Sequence, residues 1–98
     1  MAISGHIDND HGVLILSGNL PDFDGFDDFA QRLLAALDIR IVSKAFGADR
    51  HQWQLEFEGT ELTLHFELYS GSIWFELKDS SEPQLLSYFA TIIQQSEL

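Results

Sequence analysis

Residues 52–78 read QWQLEFEGTELTLHFELYSGSIWFELK, and the alternation in this stretch decides the fold. Trp53, Leu55 and Phe57 alternate with Gln52, Gln54, Glu56 and Glu58. Leu62, Leu64, Phe66 and Leu68 alternate with Glu61, Thr63, His65 and Glu67. Ile73, Phe75 and Leu77 alternate with Trp74, Glu76 and Lys78. Successive side chains of a strand point to opposite faces, so a period of two in three successive runs describes antiparallel strands buried on one side. Gly59-Thr60 and Ser70-Gly71 read as two-residue turns. They pair Glu58 with Glu61 and Tyr69 with Ser72, which sets Phe57 against Leu62, Trp53 against Phe66, and Phe66 against Phe75. The outer face then carries three rows: Gln54, His65 and Glu76; Gln52, Glu67 and Trp74, with Tyr69 and Ser72 beyond; and Glu56, Thr63 and Lys78.

Upstream, residues 39–46 return to strand composition. Residues 3–7 and 13–16 flank a cluster of turn formers at 8–12 and read as a hairpin. Val13, Leu14, Ile15 and Leu16 form an unbroken apolar run bounded by Gly12 and Gly18, as expected of a strand buried on both faces, inside the sheet or under a helix. Between hairpin and meander, Phe26, Phe29, Ala30, Leu33 and Leu37 recur at three and four residues and line one side of a helix. Asp22 or Asp24 suits its N-cap, acidic residues crowd its first turn, and it should stop near Asp38. Downstream, residues 79–83 combine two serines, the acids Asp79 and Glu82, and Pro83 into a helix start. A serine cap, an acidic first turn and a proline where the amide has no intrahelical partner fit there. Leu85, Leu86, Phe89, Ile92 and Ile93 supply the second amphipathic face. The expected architecture is a single α+β domain over residues 1–98 in the order β-β-α-β-β-β-β-α. An antiparallel sheet carries two helices packed on one face, and the first hairpin extends that sheet or caps one end of the core.

The totals narrow the functional classes. Five basic and sixteen acidic residues give a net charge of −11. Such a surface repels phosphate backbones and anionic lipids, so no direct nucleic-acid or membrane binding is expected. Cysteine is absent, which removes disulfides and thiolate metal sites. With no signal-peptide pattern and no apolar run of membrane-spanning length, a cytoplasmic location is expected.

No catalytic motif appears. Asp22, Asp24, Asp27 and Asp28 are spaced closely enough to suggest calcium, but no EF-hand pattern closes around them, and a dipole-stabilised helix start explains the acids. His6, His11, His51 and His65 fall in no zinc-type pair. His65 beside Glu76 and Glu67 forms a carboxylate–histidine arrangement of the kind used in general base catalysis, without a nucleophile to activate. Neither metal nor cofactor is expected.

The runs WQLEFEG (residues 53–59), ELYS (67–70) and WFEL (74–77), with Phe23-Asp24, the following helix and the strand from Ile39, resemble a small uncharacterised gammaproteobacterial domain-of-unknown-function family. The likeness covers most of residues 20–78 and is less clear in the first hairpin and last helix. It implies a bacterial cytoplasmic protein and brings no catalytic residues. The leading functional expectation is a small non-enzymatic protein-interaction or homo-oligomerising module. Its surface would be the outer sheet face around Tyr69, Trp74, His65, Glu67 and Glu76, with Phe46 a candidate to join the aromatics. The alternative is an acidic inhibitor or nucleic-acid mimic of the immunity-protein kind, suggested by the charge. A small enzyme built on His65 and Glu76 ranks below both.

Overall fold

The computed structural model describes residues 3–79 and 82–96. Six strands and two helices follow in the expected order: β1 (Ile3–Asp8), β2 (Val13–Gly18), α1 (Phe26–Leu37), β3 (Arg40–Phe46), β4 (Arg50–Phe57), β5 (Thr60–Glu67), β6 (Ser72–Leu77) and α2 (Gln84–Gln95). The strands form one sheet in the spatial order β1-β2-β6-β5-β4-β3, and every neighbouring pair is antiparallel. The first hairpin therefore extends the sheet sideways, with β2 docked on β6, and leaves the outer face uncovered.

The alternation partitions the faces as the sequence requires. Trp53, Leu55, Phe57, Leu62, Leu64, Phe66, Ile73, Phe75 and Leu77 are buried with Leu14 and Leu16 beneath the helices. Phe26, Leu33, Leu34 and Leu37 of α1 and Leu86, Phe89 and Ile93 of α2 complete this core. The long apolar run of β2 divides accordingly. Leu14 and Leu16 enter the core, while Val13 and Ile15 lie on the outer face, Val13 buried and Ile15 half-buried. Gly5 has a structural reason: a Cβ there would stand 2.8 Å from Leu14 Cδ1 and 3.5 Å from the Ala90 backbone, so α2 rests almost directly on β1.

Both hairpin registers differ from the expected ones by two residues. Phe57 pairs with Thr60, Leu55 with Leu62 and Trp53 with Leu64, so the two-residue turn is Glu58-Gly59. Both its residues have positive φ, 49° and 88°, which is the type I′ geometry that matches strand twist, and glycine takes its second position. In the next hairpin Glu67 pairs with Ser72, and residues 68–71 form a four-residue loop with Gly71 at φ 68°. The Glu67 carboxylate organises that loop by accepting from the Ser70 amide (3.0 Å) and hydroxyl (3.1 Å). A slip of two keeps every side chain on its face, which is why the apolar pattern could not detect it.

The helix starts also differ in detail. Gly25 is the N-cap of α1, and Asp22 acts one turn earlier by accepting the Gly25 amide at 2.8 Å. Asp27 and Asp28 occupy the first turn as the dipole favours. At the other end Asp38 adopts the left-handed conformation, φ 59°, and the Ile39 amide closes on the Leu34 carbonyl at 2.9 Å. For α2, Pro83 stands at the N-cap and the first turn holds no acid. The expected serine cap at 80 or 81 lies outside the described residues.

Candidate functional site: the open face of the sheet

Because the register differs, the outer rows differ too. His6, Ile15, Trp74, His65, Gln52 and Ala45 form one continuous row across all six strands. Asp8, Val13, Glu76, Thr63, Gln54 and Ser43 form the next. Arg50, Glu67 and Ser72 lie on one side of these, and Arg40, Glu56 and Glu61 on the other, where Lys78 continues the row from the end of β6.

Trp74 and His65 are direct cross-strand partners, not members of separate rows. Their rings stack with centroids 4.8 Å apart and planes 12° from parallel. Such a pair contributes about 0.5–1 kcal/mol beyond simple area burial. His65 Nε2 donates to Glu76 Oε1 at 3.0 Å, so the acid is a diagonal neighbour that fixes the ring's orientation. The imidazole is held between an indole face and a carboxylate, on the two central strands of the sheet. Among the described residues no element packs over it.

The remaining expected residues separate from this centre. Glu67 faces Ser72 and spends its carboxylate on the loop. Tyr69 stands in that loop, 84% exposed and outside the strand ladder, so it is not a diagonal neighbour of Trp74. Phe46 is directed to the opposite side of the sheet. It pairs with buried His51, their rings 5.8 Å apart, and takes no part in the outer aromatic group. Conversely, Ile15 and His6 join the row through β2–β6 pairing, a contact between residues nearly sixty apart that no local pattern encodes.

Charge on this face is largely compensated within it. Arg40 Nε donates to Glu56 at 2.8 Å, and the guanidinium holds that carboxyl below the usual carboxylate range. Lys78 reaches Glu61 at 3.3 Å. On the helix side, Lys44 bridges Asp27 at 3.0 Å and sits 4.4 Å over the Trp53 ring, sealing the core along β3. His51, buried there between Phe23 and Phe26, donates Nε2–H to the Phe23 carbonyl at 3.2 Å. This histidine was not legible as a core residue, because it occupies an apolar position of β4 and only its alternation with Trp53 marks its face.

No group of three or more potential metal ligands converges among the described residues. A cavity of about 430 Å³ lies elsewhere, between the β2–α1 connection and α1, where Leu20, Pro21 and Phe29 meet Asp22, Asp28 and Arg32. Arg32 is already paired with Asp28 at 3.3 Å, and no nucleophile with its own base is present there.

Fold and face together define a small α+β protein whose sheet is packed by helices on one side and open on the other. The chain belongs to the DUF3630 family, proteins of unknown function, whose model matches residues 2–94. That match takes in β1, β2 and most of α2, well beyond the stretch of clearest resemblance in the sequence. Neither a curated protein nor a solved structure matches the chain. No helix among the described residues is long and apolar enough to cross a membrane.

Proposed function

We propose that this protein is a small protein-interaction module whose contact surface is the open face of the sheet, centred on Trp74 and His65. The observation that carries the reading is the placement of a stacked indole–imidazole pair on the two middle strands of an uncovered face. Interface anchors are typically aromatic and central, surrounded by polar groups that exclude water. Ile15, Val13 and Thr63 flank the pair, and Gln52, Gln54, Glu76 and Ser72 rim it. Glu67 supports the surface indirectly through the loop it orders, and Tyr69 stands at its margin. A flat face of this kind offers no water-excluding pocket, which favours contact over turnover.

The test is quantitative capture with the tagged chain, comparing wild type with Trp74→Ser and Tyr69→Ser. Trp74→Ser is expected to keep the folded circular-dichroism spectrum and lose at least nine-tenths of specifically captured protein. Tyr69→Ser should lose less. Identical capture by wild type and a folded Trp74→Ser chain would contradict the reading.

A further inference from the structure

The open face differs in charge from the rest of the molecule. Three of the five basic residues (Arg40, Arg50 and Lys78) and five of the sixteen acids (Asp8, Glu56, Glu61, Glu67 and Glu76) project from it, giving the face −2 of the chain's −11. The remaining −9 comes from eleven acids on helices, turns and ends against Arg32 of α1 and Lys44 on the helix side of β3. A second copy of this chain meets less net charge on this face than on the remaining surface taken together, so repulsion opposes a face-to-face approach least strongly.

The face is also self-complementary. β6 and β5 are the two middle strands of six. A twofold axis running along the strand direction above the seam between them lays β6 on the partner's β5, β2 on its β4 and β1 on its β3, and it preserves the rows. Trp74 then meets the partner's His65. Ile15 meets the partner's Gln52. Val13 meets the partner's Gln54, and Lys78 meets the partner's Glu61. No like charges face each other in this arrangement. Six strands spaced about 4.8 Å apart, each six to eight residues at about 3.3 Å, make a face of roughly 500–700 Å². Two such faces bury on the order of 1,000–1,400 Å² together, at the lower end of specific interfaces.

Resting on the reading of this face as a contact surface, the geometry points to a second copy of the same chain as its occupant, in a face-to-face twofold dimer with Trp74 and His65 of each copy at the centre. An interface of this size is of the kind found in weak, reversible complexes. Two chains of −11 associate more tightly as salt screens their mutual repulsion, whereas a basic partner would bind less tightly.

The experiment is sedimentation equilibrium of the full chain over a concentration series, at low and at near-physiological salt. Wild type should be a reversible monomer–dimer system whose dissociation constant falls as salt rises. Trp74→Ser should weaken it at least tenfold. Glu61→Lys and Lys78→Glu each place like charges across the twofold and should each be mainly monomeric when alone. An equimolar mixture of those two variants should dimerise again. One chain then carries a positive charge at both positions and the other a negative charge at both, so opposite charges meet at each contact. The intrachain pair stays broken in both, so only an intermolecular contact accounts for recovery. Wild type that stays monomeric at every concentration and salt overturns the second-copy inference, yet leaves the contact-face reading standing if Trp74→Ser still loses a heterologous partner. A dimer that persists in folded Trp74→Ser and in both charge variants overturns it as well and places self-association elsewhere. Failure of the mixture to recover overturns the face-to-face register.

Discussion

Glu58 holds a left-handed backbone conformation, φ 49°, at the first position of the turn that sets the β4–β5 register. A side chain there costs on the order of 1 kcal/mol relative to residues that visit this region readily, and the neighbouring glycine relieves only its own position. Asparagine followed by glycine is the preferred type I′ pair. Glu58→Asn is therefore expected to stabilise the fold by about 0.5–1 kcal/mol, read as a higher urea midpoint at unchanged m-value. An unchanged or lower midpoint would show that this turn is not the one described. The same residue explains how the sequence misleads. Gly59-Thr60 and Glu58-Gly59 are both chemically acceptable turns, and the choice between them moves the ladder by two residues. All apolar side chains stay buried either way, but the outer neighbours change: Gln52 acquires His65 in place of Glu67 across this turn, and the four-residue loop at 68–71 makes the same exchange for Trp74.

At the scale of elements, the helices were legible from their apolar spacing, and the faces of β4, β5 and β6 from their alternation. Their capping was less so, because Asp22 satisfies the Gly25 amide one turn before the position a simple N-cap would hold. The seating of α2 on β1 could not be read at all, since nothing local distinguishes a glycine beneath a helix from a glycine in a weak strand. Gly5 is the contact that permits it, because Leu14 already occupies the space a side chain there would take, and Ala90 of α2 lies in ordinary contact beside it. Gly5→Ala must displace the Leu14 side chain and is expected to destabilise the protein by about 1–3 kcal/mol despite the better strand propensity of alanine. Thermal or urea unfolding checks this. A neutral or stabilising effect would mean that β1 and α2 are not packed this closely.

For the whole molecule, the decisive long-range event is the pairing of β2 with β6, which carries the first hairpin to the edge of the meander instead of across it. The doubly apolar run from Val13 to Leu16 hinted at an interior strand, and the pairing shows why: Ile15 contributes apolar surface to the outer face beside Trp74, while Val13, opposite Glu76, is buried among its neighbours. One side of the sheet is thus consumed by core and the other left as a flat, nearly charge-balanced platform on an otherwise strongly acidic body. The most direct measurement of that platform's role is acrylamide quenching of tryptophan emission, because the chain has two tryptophans in opposite situations. Trp53 is 1% exposed in the core and supplies the inaccessible component, while Trp74, half-buried on the open face, supplies the more accessible one. Quenching of the Trp74 component should be greater in dilute protein and fall when the chain is concentrated or bound to a captured partner. Quenching that stays the same in the free and the associated protein would contradict the assignment of the open face as the contact surface.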